Sequence, residues 1–132
     1  MKSLKLKMAT TIAAKPDAVF AALTDAKEIG QWSGQKGKVA SKIGGAFEMF
    51  DGWVKGKVLE YKPGKSLAYT WHTEDWTADT ADSVVRYTFA PVQDGTRIVL
   101  EHSNFPSESE MKSHKGGWKE HVFDPLKDHF SK

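Results

Sequence analysis

The chain has 132 residues, a formal net charge of +2 and no cysteine. That length suits one domain spanning residues 1–132, with a real core. The missing thiols exclude disulfides and thiolate chemistry, and the small, dispersed charge excludes a dense nucleic-acid-binding face. Lys36, Lys38, Lys42, Lys55 and Lys57 are spread through the middle of the chain and read as a solvated face. No apolar run has signal-peptide or membrane-spanning length, so the sequence predicts a cytoplasmic protein without membrane insertion.

In chain order, Lys2–Ile12 alternates: Leu4, Leu6, Met8 and Ile12 fall on one side, Lys5, Lys7 and Thr11 on the other. Period two with one polar face predicts a half-buried strand. Pro16 suits the first turn of a short helix whose apolar face is Val19, Phe20 and Leu23, although Lys15 lacks the side-chain oxygen of a good cap. Thr24-Asp25 starts a second short helix carrying Ile29 and Trp32, which Gly30 weakens and Gly34 ends. Six strands are predicted next: Lys36–Ala40, Ala46–Phe50, Trp53–Tyr61, Ser66–Thr73, Ser83–Ala90 and Arg97–Ser103. Tight turns join most of them, with Asp51-Gly52 the clearest hairpin signal. Between the fourth and fifth of these strands lies an acidic loop, Glu74–Asp82, with Trp76 inside it.

The last segment, Ser107–Phe130, reads as a helix with Trp118, Val122 and Leu126 every four residues and Phe123 and Phe130 widening that face. Ser107 and Glu110 have capping-box spacing. Gly116-Gly117 predicts either a loose first turn or a separate segment before Trp118. Pro125 removes a hydrogen bond to the His121 carbonyl and predicts a kink. Short connections imply antiparallel neighbours. The expected fold class is α+β: a curved antiparallel sheet of about six to seven strands around a long C-terminal helix, with two short helices after the first strand.

Phe47-x-x-Phe50-Asp51-Gly52, Gly56, Pro63-Gly64-Lys65, Trp71 followed by Trp76, Gly95-Thr96, Pro106, and Gly117-Trp118 ending in Leu126 together resemble one family. It is the activator of heat-shock protein 90 ATPase homologue group of the START-like (SRPBCC) superfamily. The resemblance runs from about Leu4 to Phe130. It implies the Bet v 1-like helix-grip fold shared with the birch pollen allergen, with a cavity between sheet and helix that superfamily members use for lipids, hormones, polyketides or aromatic metabolites. It also implies a second kind of partner, a heat-shock protein 90-type chaperone. The related eukaryotic domain follows a separate N-terminal domain that also grips the chaperone, and this chain carries no such domain. Lys15 departs from the family's usual serine cap, and Asn104-Phe105-Pro106 from a glycine-containing turn.

The residues themselves offer a candidate cavity lining: Trp32, Phe47, Met49, Tyr69, Trp71, Tyr87, His102, Trp118 and Val122. Strand phase groups Leu67, Tyr69 and Trp71, and likewise Val85, Tyr87 and Phe89. Such a set makes either a packed core or a pocket with a few polar tips. His102, in phase with Ile98 and Leu100, either meets a ligand or proton or is satisfied by a neighbour. Trp76, Gly116 and Gly117 are the candidate rim or gate, and Trp76 either sits at the cavity mouth or folds back on the sheet. His114 and His121 are two helical turns apart, too far to share one ion unaided, so no metal is expected. No nucleophile or phosphate-cradle motif is present, and no cofactor is expected. Glu48, Glu60 and Glu101 lie on strands where carboxylates could meet across the sheet.

The expected function is non-catalytic binding of a hydrophobic or amphipathic small molecule (lipid, sterol or aromatic metabolite) by a monomer. The alternative is a co-chaperone-like module contacting heat-shock protein 90. A third reading is a cyclase- or hydrolase-type enzyme depending on His102 or Glu101.

Overall fold

The computed structural model describes residues 4–131. Lys2 and Ser3, where the first predicted strand begins, lie outside the described residues. The elements are β1 (Leu6–Ile12), α1 (Pro16–Thr24), α2 (Ala26–Ser33), β2 (Lys38–Val39), β3 (Ala46–Met49), β4 (Val54–Lys62), β5 (Ser66–Thr73), β6 (Ser83–Val92) and β7 (Gly95–Ser103). A C-terminal helical stretch follows: α3 (Glu108–Trp118), a π turn (Lys119–Phe123) and α4 (Asp124–Phe130). The seven strands form one sheet in the order β1-β7-β6-β5-β4-β3-β2, with every neighbouring pair antiparallel. This is the helix-grip architecture.

The period-two pattern decides which face is buried. Leu67, Tyr69 and Trp71 on β5, Val85, Tyr87 and Phe89 on β6, and Ile98, Leu100 and His102 on β7 are all buried. Against this face pack Trp118, Val122, Phe123 and Leu126 from the C-terminal stretch, with Val19, Phe20, Leu23, Ile29 and Trp32 from α1 and α2. The Trp32 indole N–H donates to the Ala22 carbonyl at 2.6 Å and ties α2 back to α1. As its side chain dictates, Lys15 offers α1 no cap, whereas Asp25 accepts from the Lys27 N–H at the start of α2.

Two expectations about the last helix are corrected. Gly116 and Gly117 do not separate it from its first turns: α3 runs through them without a break. The Ser107 side chain accepts from the Glu110 N–H at 3.1 Å, and that cap, with side-chain anchors described below, outweighs the roughly 1 kcal/mol that each interior glycine costs. At Pro125 the chain keeps helical backbone angles, and the preceding turn widens to a π turn in which the Asp124 N–H reaches back to the Lys119 carbonyl. A ladder that loses one donor at proline is locally re-spaced rather than broken.

Gly56 on β4 is required by a close approach. A Cβ there would land on the Thr70 carbonyl and lie 2.7 Å from the Thr70 hydroxyl oxygen, which already accepts from the Lys57 N–H at 2.8 Å. Gly56→Ala should therefore cost about 1–3 kcal/mol through forced separation of β4 and β5, read as a lower urea midpoint at unchanged slope. An unchanged midpoint would show that the strands can part there without penalty.

Candidate ligand-binding cleft

Most of the space between sheet and helix is filled. Phe47 stacks on Tyr69 with centroids 3.6 Å apart and planes 11° from parallel, and Tyr69 meets Tyr87 edge to face at 6.2 Å. The two phenol oxygens are 3.5 Å apart. Burial pushes both phenols up from their ordinary range, so both are neutral donors and acceptors inside the core.

At the end of this core lies a network built on indole N–H groups. All five tryptophans have their N–H bonded. Trp118 donates to His102 Nδ1 at 3.0 Å and Trp71 to His114 Nε2 at 3.2 Å. Trp53 donates to Asp75 at 2.9 Å, Trp76 to Glu110 and Trp32 to Ala22. An indole N–H can only donate, so each bonded imidazole nitrogen must be the acceptor. For His102 this places the proton on Nε2, which donates to Ser83 Oγ at 2.7 Å, and Ser83 passes its own proton to the Trp71 carbonyl at 3.0 Å. For His114 the proton lies on Nδ1 and is donated to the Glu110 carbonyl at 2.9 Å. Burial, with His114 nearby, pushes the His102 pKa down to about 2. His102 is thus a neutral hub with both nitrogens occupied, and the reading of it as satisfied by neighbours fits this geometry.

Beside the network a cleft of about 510 Å³ opens between the β3–β4 turn, the β5–β6 loop and α3. Phe50 and Trp53 form its half-exposed aromatic wall, and Trp71 and Trp118 its buried floor. His114, His121, Asp75, Glu110 and Glu120 supply the polar lining. Phe50 reaches the cleft because Phe50, Asp51 and Gly52 have φ of 55°, 59° and 87°. Positive φ is costly for phenylalanine. It is held by two bonds between Asp51 and Lys36: Lys36 N–H to Asp51 Oδ1 at 2.7 Å and Asp51 N–H to the Lys36 carbonyl at 2.9 Å.

Of the residues singled out from sequence, Trp71, Trp118, Val122, Gly116 and Gly117 line this cleft. Trp32, Phe47, Met49, Tyr69, Tyr87 and His102 are buried in the packed core behind it. Trp76 is partly buried, packed on His72 and His114 and held by Glu110. Phe50, Trp53, Asp75, Glu110 and His114 are cleft residues that strand phase alone does not single out. Their sequence signal is weak: the hairpin before Trp53, and His114 with Glu110 one helical turn apart. The strand carboxylates do not meet one another. Glu60 pairs with Arg86 at 2.7 Å, Glu101 with Lys5 at 3.1 Å, and Glu48 with Lys38 at 3.8 Å. Asn104 adopts φ 61°, the left-handed conformation for which asparagine can stand in for glycine. Its amide donates to the Asp82 carbonyl at 2.8 Å. Among the described residues no helix is long and apolar enough to cross a membrane.

Comparison with known proteins agrees with this architecture. A Mesorhizobium loti protein of known structure superposes with a TM-score of 0.83 at 25% identity, covering 97% of each chain. A Plasmodium falciparum protein described as an HSP90 activator superposes with a TM-score of 0.79 at 25% identity, covering 96% of this chain and 94% of that one. The mouse activator of 90 kDa heat shock protein ATPase homolog 1 is 22% identical over 126 residues, which are 96% of this chain and 37% of the mouse protein. The chain thus spans well under half of that relative. Residues 13–131 match the family described as Activator of Hsp90 ATPase homolog 1-like protein, and the chain belongs to that family.

Proposed function

We propose that this chain binds a small amphipathic molecule with an aromatic part in the cleft between the sheet and α3. The observation that carries this reading is the cleft's aromatic wall. Phe50 and Trp53 remain half-exposed at the mouth of a space of about 510 Å³, within the range of roughly 300–1,000 Å³ typical of small-molecule sites. Phe50 is also held there in a strained backbone conformation. The filled core rules against a long lipid running between sheet and helix and places the ligand at the end of the barrel-like interior. Titration of isotope-labelled protein with a panel of aromatic amphiphiles should move the indole N–H resonances of Trp53, Trp71 and Trp118 while leaving that of Trp32 in place. A panel that moves none of the three overturns the reading.

A second reading is contact with a heat-shock protein 90-type chaperone. It is supported by the family and by the similarity to the Plasmodium HSP90 activator, a chain of comparable length. It predicts co-purification with the host chaperone and a raised ATPase rate. No binding at micromolar concentration would remove it.

A further inference from the structure

The charge around the cleft narrows what it accepts, and this inference rests on the cleft being a ligand site. The whole chain carries +2, yet the cleft is lined by three carboxylates, Asp75, Glu110 and Glu120, and by no lysine or arginine. Elsewhere the strand carboxylates sit against basic side chains, as Glu60 does on Arg86 and Glu101 on Lys5. Among the described residues Asp75 and Glu110 have no such ion pair. Instead, one oxygen of each is held by an indole N–H, Asp75 by Trp53 and Glu110 by Trp76. That leaves the second oxygen of each without a donor among the described residues. The two carboxylates come from opposite sides, the β5–β6 loop and α3, and the half-exposed faces of Trp53 and Phe50 lie beside them.

We propose that the cleft is selective for an organic cation that combines a ring with an ammonium group. Aromatic faces carry negative quadrupole charge and attract a cation placed over them, most strongly tryptophan. A carboxylate on the indole N–H makes the Trp53 face more negative still. Unpaired carboxylates add Coulomb attraction that is stronger in a partly enclosed cleft than in bulk water. The same groups repel a carboxylate ligand, so a fatty acid anion is the wrong partner. The imidazoles do not reverse this balance: both His114 nitrogens are engaged in bonds that require its neutral form, and exposed His121 lies 4.0 Å from Glu120.

The test compares benzyltrimethylammonium, benzyl alcohol and benzoate at pH 8, where an ordinary imidazole is neutral. Indole N–H shifts of Trp53, Trp71 and Trp118 are the readout. The cation should bind at least tenfold more tightly than the alcohol, benzoate should not bind, and the preference should shrink with added salt. In the Asp75→Asn/Glu110→Gln double variant, which keeps both acceptors for the indoles, the cation-to-alcohol ratio should fall below threefold with alcohol binding unchanged. Equal binding of cation and alcohol, tighter binding of benzoate, or an unchanged ratio in the double variant overturns the charge selectivity and leaves the aromatic cleft standing. No shift with any of the three compounds removes both readings.

Discussion

His102→Ala should destabilise the fold by about 3–5 kcal/mol, the largest effect expected from any single substitution considered for this chain. Three losses coincide at one fully buried position. The indole N–H of Trp118, itself 3% exposed, loses its acceptor. An unsatisfied buried donor costs about 1–3 kcal/mol. Ser83 loses the Nε2–H that bonds its hydroxyl. The ring also leaves a void against Phe105, whose centroid is 4.0 Å away, and against Trp71 at 5.4 Å. His102→Asn separates these contributions, because an asparagine oxygen can take the place of Nδ1 as acceptor for Trp118. It should recover about 1–2 kcal/mol of the loss, and the Trp118 indole resonance should return toward its native position. Trp118→Phe, which keeps a ring but strands the Nδ1 lone pair, should cost about 2 kcal/mol. Chemical denaturation of the three variants checks the scheme. Equal losses for the alanine and asparagine variants would mean that packing alone fixes His102.

The strands, their faces and the wrapping helix were legible because burial on a sheet follows a period of two. Leu67, Tyr69 and Trp71 needed nothing beyond alternation to be placed inside. The cleft was not legible for the same reason. A regular strand places Phe50 on the face opposite Phe47 and Met49, and only the run of positive φ from Phe50 to Gly52 turns its ring toward His121 and Trp53. Asp75 and Glu110 are separated by 35 positions and brought together by the β5–β6 loop and α3, with no local pattern to announce it. The aromatic set had two open readings in sequence, and the structure distributes it between them: Phe47, Tyr69 and Tyr87 pack as core, Trp71 and Trp118 reach the cleft floor. Glycine misled in one direction. Gly116-Gly117 reads as a hinge by propensity, but tertiary bonds from Trp71 to His114 and from Trp76 to Glu110 fasten the helix just before it. Propensity is a weak prior beside such anchors. At Gly117 the missing side chain leaves the helix surface open where it lines the cleft, so that glycine shapes the space rather than the backbone.

Lowering the pH from 8 to 5 should cost about 2 kcal/mol of folding stability through His102 alone. In the fold its pKa lies near 2 because burial penalises the charged ring and His114 adds to the effect. In the unfolded chain an ordinary histidine titrates near 6.5. Between those two values the unfolded state binds the extra proton and the folded state does not, so acid favours unfolding. The stabilisation is complete above about pH 6.5 and is lost as pH falls toward 2, with a limiting slope of about 1.4 kcal/mol per pH unit. Protonation within the fold is blocked structurally as well: a proton on Nδ1 would displace the Trp118 N–H, and Nε2 already donates to Ser83. The upper part of this window, from pH 6.5 to 5, precedes most carboxylate titration and isolates the imidazole contribution. Unfolding free energies at pH 8, 7, 6 and 5 should therefore decline in the native chain. In His102→Asn, which keeps an acceptor for Trp118 but cannot titrate, the decline should shrink by about 2 kcal/mol over the same range. Parallel pH profiles for the two proteins would mean that His102 accepts a proton inside the fold, and that the Trp118–His102–Ser83 relay can rearrange to admit it.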